Sequence, residues 1–197
     1  MPRIIKEYRE EVRKKIVDTA YSLIIDKGYH GTTMEEIAQR LGVTKPALYQ
    51  YFPGKENLYA AVTEKSRQEL TGLLERSYRN RNIREGSAAL FEALADYVPR
   101  FNDMYAETLL LAAHNEQMRD LLRQDRIEDL RIVQHFITRQ QGEGLVSRTL
   151  DPRTLAIACD ALINGLLMDI MMGLGKEEAK EIWLKALEQL IREDCFE

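Results

Sequence analysis

Apolar positions recur every three to four residues along most of the chain, a period that predicts a succession of helices. Val12, Ile16, Ala20, Leu23 and Ile24, extended upstream by Ile5 and Tyr8, predict a first helix ending at Gly28. Met34, Ile37, Ala38 and Leu41 predict a short second helix that stops at Gly42, opened by Thr33 and Glu36 as a reciprocal capping box. Thr44 caps a third, with Pro46 tolerated in its first turn, and Pro53-Gly54 ends it. A longer fourth helix starts near Lys55 and runs on Leu58, Ala61, Val62, Leu70, Leu73 and Leu74. Gly86-Ser87 opens a fifth, with Phe91, Leu94, Ala95, Val98 and Phe101 on one face and a kink at Pro99. A short apolar piece at 108–113 leads to a helix over 118–141, broken by Gly142-Glu143-Gly144. Asp151-Pro152 has the order of a cap and first-turn proline before the apolar segment 155–172. Gly173 and Gly175 set off a last helix bearing Ile182, Trp183, Ala186, Leu187, Leu190 and Ile191. No alternating period-2 run and no internal repeat is present, so the fold class is all-α, with about nine helices.

Composition adds limits rather than identity. At 197 residues and 22.8 kDa the chain is long enough for a self-sufficient core, and a compact domain of that mass keeps roughly 9,500 Å² of accessible surface. Apolar residues at 45% and charged residues at 30% argue against disorder. Two cysteines, Cys159 and Cys195, give no disulfide framework and suit a reducing cytoplasm. The charged start, MPRIIKEYREEVRKK, has no signal-peptide apolar core. Asp160, Asn164 and Asp169 interrupt segment 155–172, which argues against a membrane span. A cytoplasmic protein without a membrane partner is expected. The net charge of −4 is unevenly spread: residues 1–60 carry +2 and the remainder −6. A mildly basic head on an acidic body fits a chain that meets a polyanion at one end.

Residues 32–62 carry the chemistry. Two short helices separated by Gly42-Val43 have the spacing of a helix-turn-helix: Ala38 where the helices cross, Gly42 at the turn, Leu48 as the apolar plug. A plain helical hairpin has the same triple. The second of these helices narrows the choice, because Thr44, Lys45, Ala47, Tyr49, Gln50 and Tyr51 are polar, cationic or small on the face away from Leu48 and Phe52. Lys and Gln suit base edges, Ala a thymine methyl, and hydroxyls and Lys phosphates. Tyr49 and Tyr51 also fit the simpler task of sealing the edge of a small core.

Residues 12–62 resemble the DNA-binding domain of the TetR family of bacterial and archaeal transcriptional regulators. The shared features are Thr32-Thr33 before the second helix, Ile37-Ala38 within it, Gly42-Val43 at the turn, Leu48-Tyr49 in the recognition helix, and Tyr-Phe-x-x-Lys-Glu-x-Leu from Tyr51 to Leu58. The sequence departs from the family pattern at Glu35, where many members carry Arg, and at Tyr51, where many carry His. The resemblance implies a helix-turn-helix domain over 1–54 and an effector-binding and dimerisation domain over 55–197. It implies that Thr33 touches the phosphate backbone, that Thr44, Lys45, Pro46, Ala47 and Gln50 face the major groove, and that Tyr49, Tyr51 and Lys55 hold phosphates. The implied activity is ligand-responsive regulation, as a repressor, on a near-palindromic double-stranded operator bound by a homodimer and released by a small-molecule effector.

The rest of the chain offers candidate surfaces for these roles. The last two helices would pair with their symmetry mates, through Ala158, Ala161, Leu162, Gly165, Trp183, Leu187 and Leu190. An effector pocket would draw on Phe91, Tyr97, Phe101, Met104, Tyr105, His114, Phe136, Asn164 and Met168, although ordinary core packing explains each of them as well. The three histidines, His30, His114 and His135, are scattered without metal-ligand or triad spacing, and Gly173-Leu174-Gly175-Lys176 lacks the form of a phosphate loop. No enzyme, no cofactor and no metal site is expected. Two other readings remain: a helical ligand-sequestering protein with a vestigial head, and an adaptor that turns the recognition helix to a protein surface.

Overall fold

A computed structural model describes residues 3–96, 110, 112–114 and 116–191. Among them are eight named helices and no strand: α1 (Arg3–Gly31), α2 (Met34–Leu41), α3 (Lys45–Tyr49), α4 (Lys55–Tyr78), α5 (Ile83–Ala95), α6 (Glu116–Gly142), α7 (Pro152–Met171) and α8 (Lys176–Ile191). The all-α class holds. Most of the predicted piece at 108–113, the kink at Pro99 and Cys195 lie outside the described residues.

The caps explain where several helices begin. Thr33 Oγ1 accepts from the Glu36 amide at 3.1 Å, and Thr44 Oγ1 from the Ala47 amide at 3.4 Å. Asp151 accepts from the amides of Arg153 and Thr154, with Pro152 at the first position of α7. Three expectations are corrected. Gly28 does adopt a left-handed φ of 74°, yet a further helical turn, Tyr29 to Gly31, follows it. The Thr32 hydroxyl then donates to the Gly28 carbonyl at 2.9 Å. Glu36 turns its carboxylate to Lys27, so Thr33 provides a one-sided cap. Gly86 does not open α5. That helix starts three residues earlier on a full capping box between Asn82 and Glu85, and Gly86 lies inside it against the Tyr78 ring.

Three apolar clusters form the interior. In the head, Ile16, Ala20 and Leu23 of α1 meet Ile37 and Ala38 of α2, Leu48 of α3, and Leu58 and Val62 of α4. In the body, Phe91 and Ala95 of α5 pack on Ile163 and Leu166 of α7 and on Trp183 and Leu187 of α8. A smaller cluster joins Ile137, Val146, Leu155 and Ala156. Full burial of side chains this large stabilises by about 1.5–3 kcal/mol each. α4 belongs to both ends: Leu58 and Val62 close the head core, while Leu74 and Ser77 are buried further along it.

α7 is long and apolar enough to cross a membrane by length and composition, but here it packs against both α6 and α8. Its polar residues are engaged: Asp160 pairs with Arg126 of α6 and accepts from the Asn164 amide at 3.0 Å. Ile157, Ala161, Gly165 and Met172 leave an exposed stripe along it, extended by Ile182 of α8. The chain exposes 12,633 Å², about a third more than a compact domain of its mass keeps.

Candidate nucleic-acid interface and ligand cavity

The geometry of the head starts at Gly42. Its φ of 67° lets the chain reverse after α2, with the Gly42 amide donating to Gln39 and the Val43 amide to Ala38. Ala38 is 3% exposed, so the two helices cross closely, and Leu48 at 0% anchors α3. With Leu48 and Phe52 facing in, Thr44, Lys45, Pro46, Tyr49 and Gln50 are exposed on the outer side. Thr33 is exposed beside them, while Ala47, Tyr51 and Lys55 are half-buried. Of the nine residues expected at this surface, six are thus exposed and three half-buried. The core-sealing alternative applies to Tyr51, whose ring packs against the head core; Tyr49 remains 41% exposed.

Electrostatics refine this surface. Lys45 Nζ lies 3.7 Å from Glu35, and Lys55 Nζ lies 4.1 Å from the centroid of the Tyr29 ring. Two arginines that sequence reasoning missed complete the arrangement. Arg9 stacks over Tyr51 at 5.8 Å and Arg13 over Phe52 at 4.5 Å, both from α1. Their signal was a pair of cations four residues apart on the helix that precedes an adjacent aromatic pair. The result is a short helix with hydroxyl, ammonium and amide groups outward and guanidinium groups alongside, which can bond base edges and phosphate oxygens.

The body holds a narrow apolar slot of about 60 Å³, bordered by Tyr78, Leu90, Val133, Phe136, Cys159 and Trp183 among others. Outside it, an open groove of about 750 Å³ runs between α4 and α6. Leu74 and Phe136 border both. Phe136 leans on Tyr78 with ring centroids 4.6 Å apart, and Tyr78 Oη bonds Ser87 Oγ at 2.8 Å. Burial pushes the Tyr78 hydroxyl up to about 12 and the Cys159 thiol up to about 11, so both stay protonated at neutral pH.

Of the described residues expected at an effector pocket, Phe136 alone borders these two spaces. Phe91 is solid core, fully buried and stacked on Trp183 at 6.5 Å. His114 is exposed, Asn164 is tied to Asp160, and Met168 borders neither slot nor groove. Tyr97, Phe101, Met104 and Tyr105 lie outside the described residues. Among the expected dimer residues, Ala161 and Gly165 are exposed and Ala158, Leu162 and Leu190 half-buried. Trp183 and Leu187 are corrected: at 2% and 7% exposure they belong to the chain's own core, where the indole N–H donates to the Ser87 carbonyl at 3.1 Å. Among the described residues no cluster of His, Cys, Asp and Glu has metal-binding geometry.

Residues 16–62 match the profile of bacterial regulatory proteins of the tetR family, and residues 84–192 match that of the BetI-type transcriptional repressor C-terminal domain. The HTH-type transcriptional activator FasR of Mycolicibacterium smegmatis is 35% identical over 98 residues, 49% of this chain and 45% of that protein. The negative transcriptional regulator IcaR of the biofilm operon icaADBC in Staphylococcus aureus is 30% identical over 98 residues, 49% of this chain and 53% of that one. The chain thus spans about half the length of these curated relatives in the matched region. In fold, the crystal structure of a TetR-family regulator from Rhodococcus sp. superimposes with a TM-score of 0.73 at 20% identity, over 93% of this chain and all of that one. The matching family and the relatives are transcriptional regulators rather than enzymes. With a head of this geometry and profiles covering both ends, the chain belongs to the TetR family of transcriptional regulators.

Proposed function

We propose that this regulator acts as a homodimeric repressor on a near-palindromic duplex operator and is released by a small-molecule effector. The observation that carries the reading is the placement of α3, anchored by a fully buried Leu48 while Thr44, Lys45, Pro46 and Gln50 face outward. In a major groove, Lys45 and Gln50 would bond base edges, and Pro46 and Ala47 would meet a thymine methyl. Thr33, Tyr49, Tyr51 and Lys55 would hold phosphates. One head of this size buries too little duplex to be selective, so two copies are required. The outward stripe of α7, with Ala161 and Gly165 at its centre, supports pairing through that face. The repressor sign follows the BetI-type profile and IcaR, while FasR is an activator.

Release follows from α4. The slot at Phe136 has room for about two waters, so an effector entering from the groove must move Phe136 or Leu74 aside. Leu74 is on α4, and the other end of α4 supplies Leu58 and Val62 to the head core. Displacing the body end therefore tilts the head. A tenfold loss of operator affinity needs about 1.4 kcal/mol of coupling. The test is selection of duplexes from a random pool by the full chain, followed by binding assays on Lys45→Ala and Gln50→Ala. A selected inverted repeat, with each variant relaxing preference at a base position, supports the reading. Enrichment of no motif, or unaltered affinity in both variants, contradicts it.

A further inference from the structure

The helix-turn-helix unit carries no net charge of its own. Across residues 32–54, Glu35 and Glu36 offset Arg40 and Lys45. Lys45 Nζ lies 3.7 Å from Glu35, and Glu36 is taken up by Lys27 of α1. Duplex binding draws on cations that neutralise phosphates and release their counterions, and α2 and α3 supply little of that. The positive charge of the head lies upstream. Residues 3–15 hold six cations against three carboxylates, a net +3.

Two of those six cations stand against the end of the recognition helix. Arg9 and Arg13 continue upstream the inward line of Ile16 and Ala20 on α1, at spacings of four, three and four residues. Where that line runs past the head core it changes from apolar to cationic. Arg13 stands 4.5 Å from the centroid of Phe52 and Arg9 5.8 Å from that of Tyr51, the two residues that follow the C-cap of α3. Both arginines are exposed, and neither has an ion-pair partner among the described residues. Lys15 differs: Glu11 holds it at 2.9 Å, and the helical turn puts it on another side of α1. A guanidinium laid over a ring is held in place while its N–H edge stays free for a bidentate bond to phosphate.

We propose that Arg9 and Arg13 form a second duplex contact, gripping the backbone phosphates beside the groove that α3 enters, and that they carry much of the sequence-independent affinity of the head. The proposal rests on the reading that α3 meets duplex DNA, and not on dimerisation, operator symmetry or an effector. Phosphate is the fitting partner because the two free guanidinium groups adjoin the outward hydroxyl and amide groups of α3, while the cations of α2 and α3 are offset by carboxylates. Division of labour follows: α3 reads bases, and the projecting half of α1 supplies charge.

The test is fluorescence anisotropy of the full chain on a labelled duplex of random sequence, between about 50 and 200 mM salt. Each phosphate contact adds roughly 0.9 to the slope of log affinity against log salt. Arg9→Gln with Arg13→Gln keeps part of both stems and removes both charges, and is expected to lower that slope by about 1.8. Over this salt range the parent then loses roughly tenfold more affinity than the variant. Arg9→Lys with Arg13→Lys is expected to keep the parent slope, and Lys15→Ala to leave it unchanged. Melting curves check each fold; Arg9→Gln alone, which leaves the closer Arg13–Phe52 contact in place, is expected to show half the effect and decides if the double variant does not fold. A parent slope in the folded glutamine variants, an equal fall in Lys15→Ala, an equal fall in the lysine pair, or no binding of the random duplex by the parent would each overturn the proposal. Failure to select an operator motif would contradict the proposed function and leave these slopes standing.

Discussion

Lys45 is held by a carboxylate in the free protein: its ammonium lies 3.7 Å from Glu35, and both side chains are largely exposed. Binding a base edge requires that contact to give way, and an exposed pair of this kind is worth about 0.2–1 kcal/mol. Glu35→Gln should therefore tighten operator binding by about 1.4- to fivefold, measured by fluorescence anisotropy. Lys45→Ala should cost about 1–3 kcal/mol and relax preference at one base position, whereas Lys55→Ala should weaken every duplex alike and lower the salt slope. Asp129 supplies a pH test. Burial raises its folded pKa above 3.8, the ordinary value, so the folded chain favours the neutral acid. The stability from that preference is complete at pH below 3.8 and is lost as pH rises through the folded value. At pH 7 the buried charge is a penalty that Asn does not carry. Asp129→Asn should then melt higher than the parent at pH 7, with the gain shrinking toward pH 4 in thermal scans; a constant difference across that range would contradict it.

Helix α5 shows how a close approach sets an element's sequence. A Cβ on Gly86 would collide with the Tyr78 ring, which is itself held by Ser87 and Phe136. Gly86→Ala gains about 1 kcal/mol of helix propensity but forces overpacking that costs about 1–3 kcal/mol, so a net loss in urea unfolding is expected. An increase in stability would show that Tyr78 is free to yield. The head elements are legible in the sequence because their key residues act locally: Thr33, Thr44 and Gly42 cap or turn the backbone within four residues of themselves. The body elements are less so. Whether Phe91 lines a void or fills one depends on Trp183, ninety-two positions away, and whether Leu187 faces in or out depends on α5. Residue type alone marks both as aromatic or apolar and leaves the partner unstated. Gly86 reads as a helix start for the same reason, since Tyr78 belongs to the preceding helix.

At the scale of the molecule, the chain exposes 12,633 Å², against roughly 9,500 Å² for a compact chain of its mass. A stable pair buries about 1,600 Å² in total, and the exposed Ile157, Ala161, Gly165 and Met172 mark where such a contact is expected to centre. A Cβ at Gly165 would have open space around it, with no neighbour within 4 Å, so Gly165→Arg should preserve the melting profile of the subunit's fold while shifting sedimentation from dimer to monomer. An unshifted dimer would move the interface elsewhere. Ala161 and Gly165 are exposed, as the pairing expected of them requires, whereas the burial of Trp183 and Leu187 is masked in the sequence by the width of the apolar stripe on α8. The central claim is that two copies present α3 to the two halves of one operator. Footprinting of the full chain on the DNA upstream of its own gene tests it most directly. The account predicts protection of two half-sites related by a dyad, about one helical turn apart or a multiple of it, and loss of both together in Lys45→Ala. Protection of a single unpaired half-site, or protection that survives Lys45→Ala unchanged, would contradict it.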